Sequence, residues 1–238
     1  MDGPLLHVFD MDGTLLRDTS ASLEIAARLG CAGEIRALEA EFAAGAVDTR
    51  GFAAALYDLW RHLTPGVVAE AFDGAPWIGG LPEVLADIRA RGDRAVVVTM
   101  SPDFFADRLR GLGVDDVVAS GFPPPPFRSA LDPARILVPG DKVTAVDRLR
   151  AAHGLDRDSC VAYGDSGSDV PLFAALRHTV AVNATPGLRA LAGAGYDGDD
   201  LRAAYALGRG LCARTRTSGY GRAVGPSTGT VPEGRVTR

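Results

Sequence analysis

A short apolar run, Leu5 to Phe9, stops at two aspartates one residue apart, Asp10 and Asp12, followed by Gly13 and Thr14. The run has the length and composition of a buried parallel strand, and open α/β sheets place their chemistry at the C-terminal ends of such strands. Carboxylates at such a place are costly unless they are paired or bound to a metal. An ordinary strand followed by an Asp-Gly turn would explain the segment in isolation. The remainder of the chain decides between the two.

After Leu15 the pattern turns helical. Leu23, Ile25, Leu29, Ile35, Leu38, Phe42, Phe52, Leu56, Leu59 and Leu63 recur at helical spacings, with Ser20 or Thr19 placed to cap the first helix. No strand signal appears before Trp77, so three or four short helices are expected here. A helix follows over Glu83 to Arg91, then a β-branched strand over 94–99, a helix over 102–112 and a strand over 114–119. Residues 121–138 read as irregular, with a stiff run of four prolines at 123–126 and a short edge strand at 136–138. A helix is expected over 141–153, a strand over 160–165, a helix to Leu176, a strand over 179–182 and a short helix over 186–194. This alternation calls for an α/β fold built on a doubly wound parallel sheet.

The segment 208–238 holds six arginines against one acid, with many Gly, Ser, Thr and Pro, and reads as a disordered basic tail. The net charge of −5 argues against a general nucleic-acid binder. Cys31, Cys160 and Cys212 are widely spaced and fit neither a disulfide framework nor a zinc site. No apolar run is long enough to span a membrane, and no signal-peptide pattern opens the chain. A soluble, cytoplasmic protein is expected. The four histidines show no metal-ligand spacing. Trp60, Trp77, Phe42, Phe52 and Tyr57 read as packing residues, though one or two aromatics could line a pocket.

Asp10, Asp12, Thr99, Lys142, Asp165 and Asp169 all fall at strand ends or helix starts, which share one edge of a parallel sheet. Four carboxylates there repel one another without a cation, and an all-oxygen donor set suits Mg²⁺. Lys142 adds a positive charge, Thr99 a hydroxyl, and neighbouring backbone N–H groups a cradle for an anion. Together they make a site for phosphoryl chemistry.

In this order and spacing the residues resemble the four motifs of the haloacid dehalogenase superfamily. Asp-Met-Asp-Gly-Thr at 10–14 is similar to the first motif, Thr99 to the second, Lys142 to the third and Gly-Asp-Ser-Gly-Ser-Asp at 164–169 to the fourth. The stretches around 99–105, 140–142 and 164–172 look most like the phosphoserine phosphatase branch. The resemblance implies a core domain over 1–15 and 78–207, with a helical cap over 16–77 inserted after the first strand. It also implies a Mg²⁺-dependent phosphatase acting on a small phosphorylated metabolite. Asp10 would be the nucleophile that becomes an aspartyl phosphate. Asp12 would be the general acid and base, and its backbone carbonyl a Mg²⁺ ligand. Asp10 and Asp165 would bind Mg²⁺ through their side chains; Asp169 would be a ligand through water or an orienter of Lys142. Thr99 and the Met100 N–H would hold the phosphate, with Ser101 a competing register for the same role. Thr14 would orient Asp12. Apart from the resemblance, Asn183 stands at a strand end near the site, where it either hydrogen-bonds an acidic motif residue or has no part in the site. Asp at position 12 favours phosphoryl transfer over dehalogenation, because a leaving alkoxide needs a proton.

The resemblance breaks down just after the first motif. Thr19 stands where phosphoserine phosphatases carry a glutamate for the substrate amine, with Asp18 and Glu24 the nearest acids. Arg50 and Arg61 are the nearest candidates for the cap arginine that binds a carboxylate. A substrate other than phosphoserine is therefore expected. A phosphotransferase or phosphomutase of the same fold is the competing reading, and a non-catalytic binding or regulatory protein a third. The sequence leaves the oligomeric state open.

Overall fold

The computed structural model describes residues 3–220. The chain runs β1 (Leu6–Phe9), α1 (Ala21–Leu29), α2 (Ala32–Ala43), α3 (Thr49–Leu59), α4 (Pro65–Asp73), α5 (Leu81–Ala90), β2 (Arg94–Pro102) and α6 (Asp103–Ala106). It continues with β3 (Asp116–Ser120), α7 (Asp141–Ala152), β4 (Cys160–Gly164), α8 (Val170–Ala175), β5 (His178–Val182), α9 (Pro186–Leu191), β6 (Ala194–Tyr196) and α10 (Leu201–Tyr220). The strands form one parallel sheet in the order β3-β2-β1-β4-β5-β6. β2 and β3 extend to one side of β1, and β4 to β6 to the other. The C-terminal ends of β1 and β4 therefore flank the topological switch point, where sheets of this class bind ligands.

Both faces of the sheet are buried, as a parallel sheet requires. Leu6, Val8, Val96, Val98 and Ala162 pack with Val146, Leu149 and Leu172 on one face. Phe9, Val97, Val161, Tyr163 and Val180 join a second cluster that continues into the helical insertion through Ile25, Ile35, Leu56 and Trp60. The two linkers of that insertion pair with each other: Leu16 and Trp77 form an antiparallel bridge, and Ile78 N–H donates to the Leu15 carbonyl at 2.8 Å. Trp60 is fully buried and lies against Phe104 and Phe122, while Trp77 Nε1 donates to the Phe72 carbonyl at 2.9 Å. Both tryptophans are packing residues.

The structure differs from the sequence reading in four places. The helix expected over 102–112 is the single turn α6 followed by a 3-10 stretch, Asp107–Leu112. Residues 136–138 form no strand, because Leu137 N–H is taken by the Ser120 hydroxyl at 3.1 Å instead of a ladder carbonyl. β6 is a sixth strand, too short at three residues to show a period.

Residues 208–220 are the second half of α10 rather than the start of a disordered tail, while 221–238 lie outside the described residues. Gly208 and Gly210 read as helix breakers, since glycine costs about 1 kcal/mol against alanine. Packing overrides that cost. A side chain at Gly208 would collide with the Tyr163 ring and hydroxyl, so the helix can approach the sheet only with glycine there. Arg209 Nη1 donates to Asp93 Oδ2 at 2.8 Å, and Cys212 is buried. Among the described residues, no helix is long and apolar enough to cross a membrane.

Candidate active site

The end of β1 carries Asp10, whose N–H continues the sheet by donating to the Tyr163 carbonyl at 2.9 Å. The chain then turns at Gly13, with φ +76°, a conformation that favours glycine. A Cβ at this position would also collide with the Asp165 carboxylate. Gly13 thus lets the end of β4 come up against the end of β1, which brings the first and fourth acidic stretches together.

Lys142 enters from the first turn of α7 and is almost wholly buried. Its Nζ donates to Asp10 Oδ1 at 2.7 Å, Asp169 Oδ1 at 2.6 Å and Ser168 Oγ at 3.3 Å. Burial opposes its charge, but Asp10 and Asp169 outweigh burial and raise its pKa. Asp169 Oδ2 accepts the Asp165 N–H at 3.1 Å. Asp169 thus has one oxygen on Lys142 and the other on the backbone.

Asp12 is held apart from this group. Its Oδ1 accepts the Ala21 N–H, the first residue of α1, at 2.7 Å, and its Oδ2 accepts the Ser101 hydroxyl. Burial raises its pKa, and these two bonds oppose the rise. Two carboxylates at one strand end therefore have different partners: a lysine for Asp10, a serine and an amide for Asp12.

Carboxylate oxygens of Asp10, Asp165 and Asp169 lie within 4.8 Å of one another. Asp165 Oδ1 is buried without a hydrogen-bond partner among the described residues. Burial and Asp169 push the Asp165 pKa up to about 7, and burial and Asp169 also raise that of Asp10. One lysine does not balance two buried carboxylates and a third that is half-buried. An orphaned oxygen within an all-oxygen donor set fits a hard divalent cation.

Comparison with known proteins identifies the family. The chain matches the haloacid dehalogenase-like hydrolases over residues 7–174. It belongs to that family. A curated relative, the phosphoserine phosphatase of Halobacterium salinarum, is 28% identical over 188 residues, covering 78% of this chain and 89% of the relative. Among solved structures, a phospho-aspartyl intermediate analogue of phosphoserine phosphatase superposes with a TM-score of 0.73 at 22% identity, covering 84% of this chain and 97% of that one. A protein of unknown function from Bordetella pertussis Tohama I gives 0.62 at 26% identity, covering 80% and 95%. The fold is that of the phosphoserine phosphatase structures, with the family's hydrolase core.

Of the residues singled out in this hydrolase's sequence, Asp10, Lys142, Asp165 and Asp169 form one cluster, and Asp12, Ser101 and Thr99 a second beside it. Two assignments need correction. Thr14 does not orient Asp12: its Oγ1 is buried with no hydrogen-bond partner among the described residues, since both Asp12 oxygens are taken by Ala21 N–H and the Ser101 hydroxyl. Asn183 bonds no acidic motif residue. Its amide exchanges two hydrogen bonds with the Gly198 backbone, at 2.9 and 2.8 Å, and pins the loop after β6. Two contributors escaped the sequence reading. One is the Ala21 N–H, foreshadowed only by the capping serine before it. The other is Glu39 of α2, whose Oε1 accepts Ser20 Oγ at 2.6 Å and Ser22 Oγ at 3.4 Å. Glu39 lies close enough to raise the pKa of Asp12.

Proposed function

We propose that the protein is a Mg²⁺-dependent phosphatase that hydrolyses a small phosphomonoester through an aspartyl phosphate on Asp10. The separate anchoring of Asp10 and Asp12 carries this reading. One carboxylate faces a fixed ammonium group, as a nucleophile toward phosphorus requires, and the other is held by groups suited to a proton carrier. The Asp10 and Asp165 side chains and the Asp12 carbonyl would hold the cation, which neutralises phosphoryl oxygens when bound.

In the first half-reaction an Asp10 oxygen bonds to phosphorus, the ester P–O bond breaks, and Asp12 gives its proton to the departing alkoxide. In the second, Asp12 takes a proton from water, whose oxygen attacks phosphorus and releases inorganic phosphate and Asp10. Lys142 screens the phosphoryl charge from the attacking carboxylate. Thr99 Oγ1 accepts the Ser101 N–H at 3.1 Å, so its own hydroxyl hydrogen remains for a phosphoryl oxygen. This favours Thr99 over Ser101 as the phosphate ligand, with the Met100 N–H beside it.

The site also supports a substrate other than phosphoserine. Thr19 donates to Glu24 at 2.8 Å and stands where an acid would be needed. Arg50 and Arg61 are turned to the carbonyls of Pro133 and Asp58, at 3.1 Å each, and neither presents a carboxylate anchor. The test is phosphate release from a panel of phosphomonoesters, with and without Mg²⁺. Mg²⁺-dependent hydrolysis that disappears in Asp10→Asn is expected, fastest on a sugar or alcohol phosphate. No hydrolysis of any ester would overturn the phosphatase, and a clear preference for phosphoserine would overturn the substrate assignment.

A further inference from the structure

β2 and β3 fall out of step at the edge of the site. Val98 faces Val118, but Pro102 faces Ser120, so β2 uses four positions where β3 uses two. A bulge of this kind re-aims the side chains it contains. Within it, the Thr99 hydroxyl oxygen accepts the Ser101 N–H and fixes that residue's backbone. The next residue is proline, whose φ of −62° limits the chain further. Ser101 is 9% exposed, and its hydroxyl is committed to Asp12 Oδ2.

We propose that Ser101 is a positioning residue that sets the rotation of the Asp12 carboxylate, and that it is not a phosphate ligand. The inference rests on the reading of Asp12 as the acid and base. An aspartate carboxylate rotates over a broad, nearly two-fold range unless something stops it. Here the Ala21 N–H stops one oxygen and Ser101 the other. The two groups are not equivalent. An N–H only donates, so Oδ1 stays an acceptor and the transferable proton belongs on Oδ2. The Ser101 hydroxyl donates to Oδ2 whether or not that oxygen carries a proton, because the O–H oxygen of a carboxylic acid keeps a lone pair and its proton stays free for the leaving oxygen. Ser101 therefore keeps its bond to Oδ2 in both half-reactions, and the proton stays at one defined atom. The bulge joins the phosphate hydroxyl of Thr99 to the acid through a single intervening residue.

The test compares Ser101→Ala, Ser101→Cys and Ser101→Thr with the parent on an alkyl phosphate and on p-nitrophenyl phosphate, whose leaving group needs no proton. General acid–base catalysis contributes about 10²–10⁴-fold, and loss of orientation forfeits part of that. The alanine and cysteine variants are expected to lower kcat on the alkyl ester by about 10–100-fold, with KM within about 2-fold. The burst of p-nitrophenolate, which reports Asp10 phosphorylation, is expected to keep its rate while steady-state turnover falls. Threonine, which retains the hydroxyl, restores most of the loss. The cysteine variant preserves the side chain's shape and covers a folding failure in alanine. A raised KM and a slowed burst on both esters would make Ser101 a phosphate ligand and overturn the proposal, as would an unchanged kcat. A parent inactive on both esters would overturn the phosphatase reading itself.

Discussion

Lys142 Nζ lies 2.7 Å from Asp10 Oδ1 although 132 positions separate the two residues. The contact joins the start of α7 to the end of β1, with Asp169 on the same ammonium at 2.6 Å. All three side chains are buried, so removal of the lysine leaves two carboxylates without their cation. Breaking a buried pair costs about 3–5 kcal/mol. Lys142→Met is expected to lose stability of that order in urea unfolding. The loss should grow as the pH rises and Asp10 ionises, since burial and Asp169 hold its pKa above the ordinary carboxylate range, and no phosphatase activity should remain.

The three-carboxylate cluster is expected to make stability depend on a divalent cation. Mg²⁺ at about 100 times its dissociation constant should add about 2.7 kcal/mol by mass action. Calorimetry is expected to show a higher Tm with Mg²⁺ than with EDTA, and little difference in Asp165→Asn, which removes the orphaned acceptor. An equal Tm for the parent in both buffers would argue against a cation at this cluster.

Gly13 combines a positive φ with the close approach of Asp165. Gly13→Ala strains the turn by roughly 1–2 kcal/mol, the cost of a left-handed residue with a Cβ. It also pushes the Asp165 carboxylate away from Asp10. A fall in affinity for Mg²⁺, read from titration of activity and from calorimetry, is expected to exceed the fall in stability.

His7 makes folding sensitive to acid. Its ring lies between the Tyr163 hydroxyl, 3.0 Å from Nδ1, and Asp93 Oδ2, 3.7 Å from Nε2, with Tyr205 and Arg209 closing the space. Burial lowers its pKa from the ordinary 6.5, although Asp93 opposes the shift. The folded protein therefore binds fewer protons than the unfolded chain as the pH falls. This stabilisation is complete above about pH 6.5 and is lost as pH drops through the folded value. Urea unfolding from pH 7.5 to 5 should show that slope in the parent and a shallower one in His7→Gln.

The loop over 121–138 grips the helical insertion. Tyr57 of α3 stacks on Phe127 with ring centres 5.0 Å apart, and its hydroxyl donates to the Ser129 carbonyl at 3.0 Å. Arg50 Nε reaches the Pro133 carbonyl at 3.1 Å. Tyr57→Ala together with Arg50→Ala is expected to cost about 1–3 kcal/mol. Hydrogen exchange should quicken in α3 and the loop while β1 and β4 stay protected; uniform exchange across the molecule would contradict a local clamp.

Much of the fold was legible because strand and helix signals are local. The β-branched run at 94–99 and the apolar run before Asp10 announce strands, and their alternation with helices announces the sheet. The capping serine at 20 marked the start of α1. α10 was hidden because its glycines lower local helix propensity and only the Tyr163 surface rewards them. β6 was hidden by its length. Among site residues, Asp10, Asp12, Lys142, Asp165 and Asp169 stood out because charged groups at strand ends and helix starts need a partner. Glu39 did not, since an acid on an amphipathic helix ordinarily faces water.

Residue order alone determined β1 to β5, the family and which carboxylates meet at one sheet edge, because a parallel sheet brings every C-terminal strand end to the same side. Tertiary structure alone decided which groups those carboxylates bond: Lys142 for Asp10, and Ser101 with the Ala21 N–H for Asp12. Ser101 reaches Asp12 across 89 positions, and Asn183 turns to Gly198 instead of the acidic cluster. Hydrogen-bond partners are settled within a few tenths of an ångström, by a bulge in β2 and the first N–H of α1. Spacing along the chain specifies which residues can approach one another, and only packing specifies which of their atoms touch.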